Sequence, residues 1–174
     1  MISQEDIDAM RKPRILILGY ARHGKDTVAE ILRDYRGYRF VSSSEFVGRE
    51  CLWEQWGRKR YPTFEAMFED RHNWREVWMQ MIAAYNTPDK TRTARTMLGR
   101  GYDMYVGMRR QDELDASRHL FDCIVWVDRS EHLPQETGSM DITYESAKPD
   151  AIIDNNGTLS DLVSEVLGFA IMIE

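Results

Sequence analysis

Two cysteines in 174 residues, Cys51 and Cys123, are too few for a disulfide framework, and a reducing cytoplasm is the compartment expected. Cys123 stands in an apolar run, where it reads as a small hydrophobe. Long hydrophobic runs are also lacking. The stretch from Leu162 to Ile173 is interrupted by Glu165 and falls well short of the roughly 20 apolar residues that a bilayer span needs, so no membrane partner is expected. Residues 1–13 are polar and acidic before turning basic, which reads as an N-terminal extension without the apolar core of a signal peptide. Internal repeats and low-complexity linkers are absent, so residues 1–174 read as one domain. Basic charge is scarce in one place only. The net charge is −6, yet residues 119–174 carry 2 basic against 11 acidic groups, while residues 1–48 carry 8 against 7 and residues 49–118 carry 13 against 11. A chain coated uniformly in basic charge for nucleic acid is therefore disfavoured. With 43% hydrophobic residues and 11% aromatics there is ample material for a core, which excludes a disordered or collagen-like chain.

Five short β-type runs punctuate helical patterns: residues 14–18, 38–41, 103–106, 123–127 and 151–153. The first, fourth and fifth are almost continuously apolar, as strands buried on both faces of a parallel sheet are. The pattern predicts a doubly wound α/β fold. Residues 48–101 are too many for one crossover and predict a helical insertion. Within it Phe64, Met67, Phe68, Trp74, Trp78, Met81, Ile82 and Tyr85 share one side of a single helix over 64–85, with Thr63 as its N-cap. A last helix starts at Thr158, with Asp161 three residues on as an acidic form of the capping box, and docks Leu159, Leu162, Val163, Val166 and Leu167 on the sheet.

Directly after the first strand stand Gly19, Tyr20, Ala21, Arg22, His23, Gly24, Lys25, Asp26 and Thr27, leading into a helical pattern. This is the phosphate-binding G-x-x-x-x-G-K loop between a strand and a helix. Its two glycines let backbone N–H groups turn toward phosphate oxygens, and Lys25 reaches the β- and γ-phosphates. His23 either adds a donor to the phosphates or faces solvent. The usual Ser or Thr after the lysine is replaced by Asp26, so magnesium would be held by Asp26 or by Thr27.

Arg71 and Arg75 fall inside the apolar stripe of the 64–85 helix, one turn apart, and a cation placed there needs a partner. That partner is either a protein carboxylate such as Asp70 or the phosphate of an acceptor, with His72 beside it. The third strand ends before Arg109 and Arg110, and carboxyl strand ends line the ligand crevice of a parallel sheet. One of these arginines would face the phosphate loop, and at least one would pair with Asp112, Glu113 or Asp115. Arg129, after the fourth strand, is a candidate to lie over adenine or a phosphate. The Asp154-Asn155-Asn156-Gly157 run reads first as a turn.

The loop from Gly19 to Thr27, together with Arg110-Gln111-Asp112-Glu113-Leu114-Asp115-Ala116, Val125-Trp126-Val127-Asp128-Arg129 and Ile153 to Leu159, resembles the phage deoxynucleoside monophosphate kinases of the P-loop nucleoside monophosphate kinase superfamily. The resemblance implies a five-stranded parallel sheet in the order 2-3-1-4-5 flanked by helices, the P-loop NTPase fold, with the insertion binding the acceptor. It implies ATP and magnesium as cofactors, transfer of the γ-phosphate to a deoxynucleotide, and the cytoplasm of an infected bacterium as the setting. Lys25 would carry the transferring phosphate and Arg110 would match the arginine that clamps it. Asp after the loop lysine is in keeping with that family. A related phage kinase phosphorylates hydroxymethyluracil within DNA, so DNA remains open as the acceptor, with Asp70, His72 or Glu45 as candidate bases and Arg49, Arg58, Lys59, Arg60, Arg92, Arg95 and Arg100 as a candidate groove. A nucleotide-binding switch without catalysis is a third possibility. The chain is expected to act as a monomer or a homodimer.

Overall fold

A computed structural model describes residues 11–135 and 138–174. Most of the expected N-terminal extension lies outside the described residues. All five strands form where apolar runs predict them: β1 (Ile15–Leu18), β2 (Phe40–Ser42), β3 (Met104–Val106), β4 (Cys123–Asp128) and β5 (Ala151–Asp154). They make one all-parallel sheet in the order β2-β3-β1-β4-β5. β1 is central, with Ile17 in register with Val106 of β3 and Val125 of β4. Its four side chains are fully buried and alternate between the two faces. Each contributes on the order of 1.5–3 kcal/mol by leaving water.

Ile15 and Ile17 face a layer built from α1 (Lys25–Arg36) and the C-terminal helix, through Val28, Ile31, Leu32, Leu162, Val166 and Phe169. Leu16 and Leu18 face the insertion. The insertion descends from α2 (Ser43–Val47) through short helical turns at Gly48–Leu52, Trp53–Gln55 and Gly57–Lys59. It continues as α3 (Phe64–Glu69), α4 (Arg75–Tyr85) and α5 (Arg92–Gly99). After β3 comes α6 (Gln111–Ser117), before β5 the single turn α7 (Tyr144–Ala147), and the chain ends in α8 (Leu159–Ile173). Thr158 and Asp161 form a reciprocal capping box at the start of α8, as their spacing predicts. Leu159, expected on its buried face, is 66% exposed because it lies in the first turn, ahead of the sheet contact.

One helix was expected over 64–85, and the structure corrects it. Thr63 caps α3 as expected, but Asp70–Trp74 are 3₁₀ and separate α3 from α4. The Asp70 carboxylate accepts from the Tyr61 hydroxyl, from Asn73 Nδ2 at 2.6 Å and from Trp74 Nε1 at 2.9 Å, which fastens the break. Five residues at three per turn advance roughly 100° further than α-helical residues would. Arg75 and Trp74 lie off the buried face: both are exposed, and Trp74, expected in the core, is 40% accessible.

A buried carboxamide helps to tie the insertion to the scaffold. Asn86, fully buried after α4, donates from Nδ2 to Glu113 Oε1 on α6 at 3.0 Å. Its Oδ1 accepts from the N–H and the hydroxyl of Thr93 on α5, at 3.1 and 2.8 Å. Burial pushes the Glu113 carboxyl above its ordinary range, with the Asn86 bond pulling the other way. A group raised in the folded state stabilises fully below its unfolded value and loses that contribution as pH rises through the folded one. Glu113→Gln keeps the acceptor for Asn86 and drops the charge, so it is expected to be more stable than wild type at pH 7. In urea denaturation the gap should close as pH falls below the ordinary glutamate range; equal stability at pH 7 would contradict this account of the buried carboxylate.

Candidate functional site: a phosphate loop and converging arginines

At the end of β1 the chain turns at Gly19 (φ 142°), where an added Cβ would lie 2.6 Å from the carbonyl oxygen of Val127 on β4. Arg22 (φ 65°) and Gly24 (φ 97°) also take positive φ, and α1 starts at Lys25. Positive φ at such positions is the conformation in which backbone N–H groups can turn toward an anion, although the His23 N–H itself is bonded to the Tyr20 carbonyl at 3.2 Å. Gly24 caps α1 with no side-chain hydrogen bond, which leaves its first amides open to the same anion. Lys25 Nζ donates to the Tyr20 carbonyl at 2.8 Å, closing the loop from its end to its start. Arg22 is exposed.

These residues fit the phosphate chain of a nucleotide: a ring of amides, a helix start and a lysine at one place. Oxygen donors for magnesium are the exposed Asp26 carboxylate and the half-buried Thr27 hydroxyl. No cluster of three or more metal-ligating acidic, His or Cys side chains occurs among the described residues. A divalent ion here would rest on one or two side-chain oxygens and the phosphates themselves, the usual way magnesium is held.

Of the two roles expected of His23, the solvent-facing one does not hold: its side chain is completely buried, and its Nε2 has no hydrogen-bond partner among the described residues. Its Nδ1 accepts from the N–H of Arg129 at 3.0 Å, which makes it an internal acceptor. Burial holds the imidazole below its ordinary value, with Asp128 opposing that and Lys25 reinforcing it. Asn155, read first as part of a turn, lies against the loop: its Nδ2 donates to the His23 carbonyl at 2.9 Å, and a Cβ on Gly24 would fall 2.3 Å from that nitrogen. Arg129 sends its guanidinium to the Asn155 carbonyl at 2.8 Å. Its position is thus at the rear of the loop, between the ends of β4 and β5.

The remaining candidates separate into two groups. Arg75 and Arg109 converge, although one starts α4 and the other follows β3: both donate to the Ser139 hydroxyl, at 2.8 and 3.2 Å. Arg110 points elsewhere. It is 61% exposed and pairs with Asp141 at 3.3 Å, while Asp141 also accepts from the Gln111 N–H at 2.6 Å and so caps α6. Arg71 is half-buried, with its guanidinium 4.1 Å from the centre of the Phe68 ring and a hydrogen bond to the Phe68 carbonyl at 2.8 Å. Asp70 is the partner of neither arginine; its three donors hold its carboxyl below the usual range, the Tyr61 bond most of all. His72 is exposed on the 3₁₀ turn.

Sequence reasoning missed Ser139 entirely and gave Asn155 too small a part. Asn155 had a usable signal, since it follows a parallel strand at the edge where ligands gather. Ser139 had none.

No protein-family model matches the chain, and no curated protein does. Among solved structures, the chain is similar to the crystal structure of TT1252 from Thermus thermophilus, with 18% identity over 93% of this chain and 98% of that one and a TM-score of 0.53. An unliganded sugar kinase from a Janibacter species aligns at 17% identity over 94% and 96% of the two chains, with a TM-score of 0.44. Likeness at this level of identity concerns the fold alone. That fold is a five-stranded parallel sheet in the order 2-3-1-4-5, flanked by helices and carrying a phosphate loop after its central strand: the P-loop fold.

Proposed function

We propose that the protein is an ATP-dependent phosphotransferase that uses magnesium and transfers the γ-phosphate of ATP to a deoxynucleoside monophosphate, as its resemblance to the phage kinases implies. The observation that carries this reading is the meeting of Arg75 and Arg109 on the Ser139 hydroxyl. Paired guanidinium forks suit a phosphate, and an oxygen that accepts from two of them marks where an acceptor's phosphate oxygen can be held. Residues 19–27 hold the donor. The loop amides and Lys25 neutralise its β- and γ-phosphates and keep them in line. An oxygen of the acceptor phosphate forms the new bond to the γ-phosphorus while the bond to the β,γ-bridging oxygen breaks, and that oxygen leaves with ADP. Magnesium, where bound, supplies further charge neutralisation on the phosphates. Arg109, following β3 at the carboxyl edge of the sheet, stabilises the charge as it moves, and no general base is needed because the acceptor oxygen is already ionised.

The DNA reading receives less support. A hydroxymethyl acceptor would need a base. The Asp70 carboxylate already accepts from three donors and Glu45 is paired with Arg49, which leaves the exposed His72 as the candidate base. Of the cations offered for a DNA groove, Arg49, Arg58, Arg95 and Arg100 are engaged with Glu65, Glu54, Asp89 and Glu50. Arg60 and Arg92 lie over the rings of Trp56 and Tyr85.

The test is ATP consumption in the presence of each deoxynucleoside monophosphate and, separately, of duplex DNA containing hydroxymethyluracil. Turnover on a free monophosphate, lost in Lys25→Ala with the fold intact, is the expected result. Turnover on the modified DNA alone would replace this reading with the other, and bound ATP without turnover on any acceptor would favour a switch. Arg75→Ala is expected to raise the acceptor KM by about ten- to a hundredfold, the worth of a charged hydrogen bond, with little change for ATP. An unchanged acceptor KM with a lowered melting temperature would instead make Arg75 a structural residue.

A further inference from the structure

His23 stands within the G-x-x-x-x-G-K loop and is completely buried, and two hydrogen bonds join it to the ends of two strands. Its Nδ1 accepts from the N–H of Arg129 after β4. Its carbonyl accepts from Asn155 Nδ2 after β5. The Arg129 guanidinium then reaches the Asn155 carbonyl, and the Asn155 N–H donates to the carbonyl of Asp128 at 2.8 Å, so the three residues close a ring of bonds behind the loop. The Tyr20 ring, 5.5 Å away, meets the imidazole edge to face and holds it from the side of the loop's start. Arg22 and Gly24, on either side of His23 in sequence, both have positive φ. His23 is thus the fixed point about which the loop's concavity is bent. Acceptance at Nδ1 requires that this nitrogen carry no proton, so the ring proton lies on Nε2.

We infer that His23 is a positioning residue for nucleotide binding: by accepting from Arg129 and holding its own carbonyl on Asn155, it sets the curvature of residues 19–25 that presents backbone amides to the donor phosphates. The inference rests on the phosphotransferase reading and deepens it. It assigns His23 no contact with phosphate. Its effect falls on the donor site alone, since Arg75, Arg109 and Ser139 belong to other elements.

Asparagine separates this role from simple packing, because its Oδ1 can lie near the position of a histidine Nδ1 and accept from the same N–H. Phenylalanine fills comparable space and accepts nothing, which strands the Arg129 N–H in a buried place. MgADP and MgATP affinities are measured by calorimetry for wild type, His23→Asn and His23→Phe, and the two substrate KM values and kcat are measured alongside. His23→Phe should bind nucleotide about tenfold or more weakly and raise the KM for ATP, leaving the KM for the acceptor near wild type. His23→Asn should recover most of the affinity. Asn155→Ser cuts the second bond without touching the histidine and should give the same donor-selective loss, which keeps the question open to test if His23→Phe fails to fold. Wild-type affinity in both His23→Phe and Asn155→Ser would overturn the inference, as would losses shared equally by donor and acceptor. Failure of His23→Asn to recover any affinity would also count against it. A wild-type protein that bound neither nucleotide would overturn the phosphotransferase reading and this inference together, so the two failures are told apart by the wild-type measurement.

Discussion

The backbone of the phosphate loop is pressed so closely against the end of β4 that no side chain fits between Gly19 and the Val127 carbonyl, which an added Cβ would approach to 2.6 Å. Much of the site depends on that contact. It requires β4 to lie beside β1, and the register of Leu18 with Trp126 brings Val127 level with the start of the loop. It also requires β5 outside β4, since the pairing of Asp128 with Asp154 is what delivers Asn155 to the loop's underside. Strand order, register and loop conformation are therefore one constraint seen at three scales. A sheet of the same strands in another order would leave Gly24 and His23 without the groups that shape them.

The proposed acceptor side obeys a second constraint, since its two arginines come from elements far apart in sequence. Arg109 is fixed by β3, while Arg75 travels on an insertion whose attachment must be rigid if the two are to meet. The rigidity has two sources. Phe64, Met67 and Trp78 of the insertion share a core with Leu16, Leu18 and Tyr105 of the sheet. Asn86, bonded to both Glu113 and Thr93, then fixes rotation, which apolar contact alone leaves loosely specified. Two guanidinium groups that reach one oxygen could each give a phosphate oxygen a charge-assisted hydrogen bond, so their convergence matters more than their number.

The parts of this architecture that are written locally are legible in the sequence, and the parts written by distant contacts are not. Strand positions follow from short apolar runs, and the phosphate loop is readable because strand, glycines, lysine and helix are contiguous. The Thr158–Asp161 cap is equally local. The break at Asp70–Trp74 is not, because the group that fastens it most strongly, the Tyr61 hydroxyl, arrives from nine residues upstream and no helical periodicity encodes it. A wheel drawn at a constant angle over one helix puts Arg75 in the core, whereas at the start of a separate helix it is exposed and donates to Ser139. Arg109 and Arg110 are adjacent and chemically identical, and the Asp141 carboxylate, from far along the chain, joins the neighbouring Asp112 in holding Arg110 at the surface. Asn155 and His23 share that character, since each has its role only once β5 and β4 lie side by side.

The uneven charge of the chain takes its meaning from where the acidic groups end. The last third holds 11 of them against 2 basic groups, which on a smooth surface would repel phosphate. Most are used as local acceptors instead. Asp122 takes the N–H of Arg14 and the guanidinium of Arg11, and Asp150 takes the N–H of Ile124. Asp128 holds Ser130 and Asn156, Asp154 holds Asn156, and Asp161 caps α8. Asp141 caps α6, and Glu174 pairs with Arg36. A carboxylate committed to a backbone amide or a cation projects little field beyond its neighbours, the more so at physiological salt where charges are screened within about 8 Å. The same reasoning applies to the arginines of the insertion that are paired with glutamates. Net charge is then a poor guide to what this surface binds. The candidate phosphate sites depend on backbone amides, one lysine and two arginines aimed by the fold, and that arrangement works at a net charge of −6 as well as at any other.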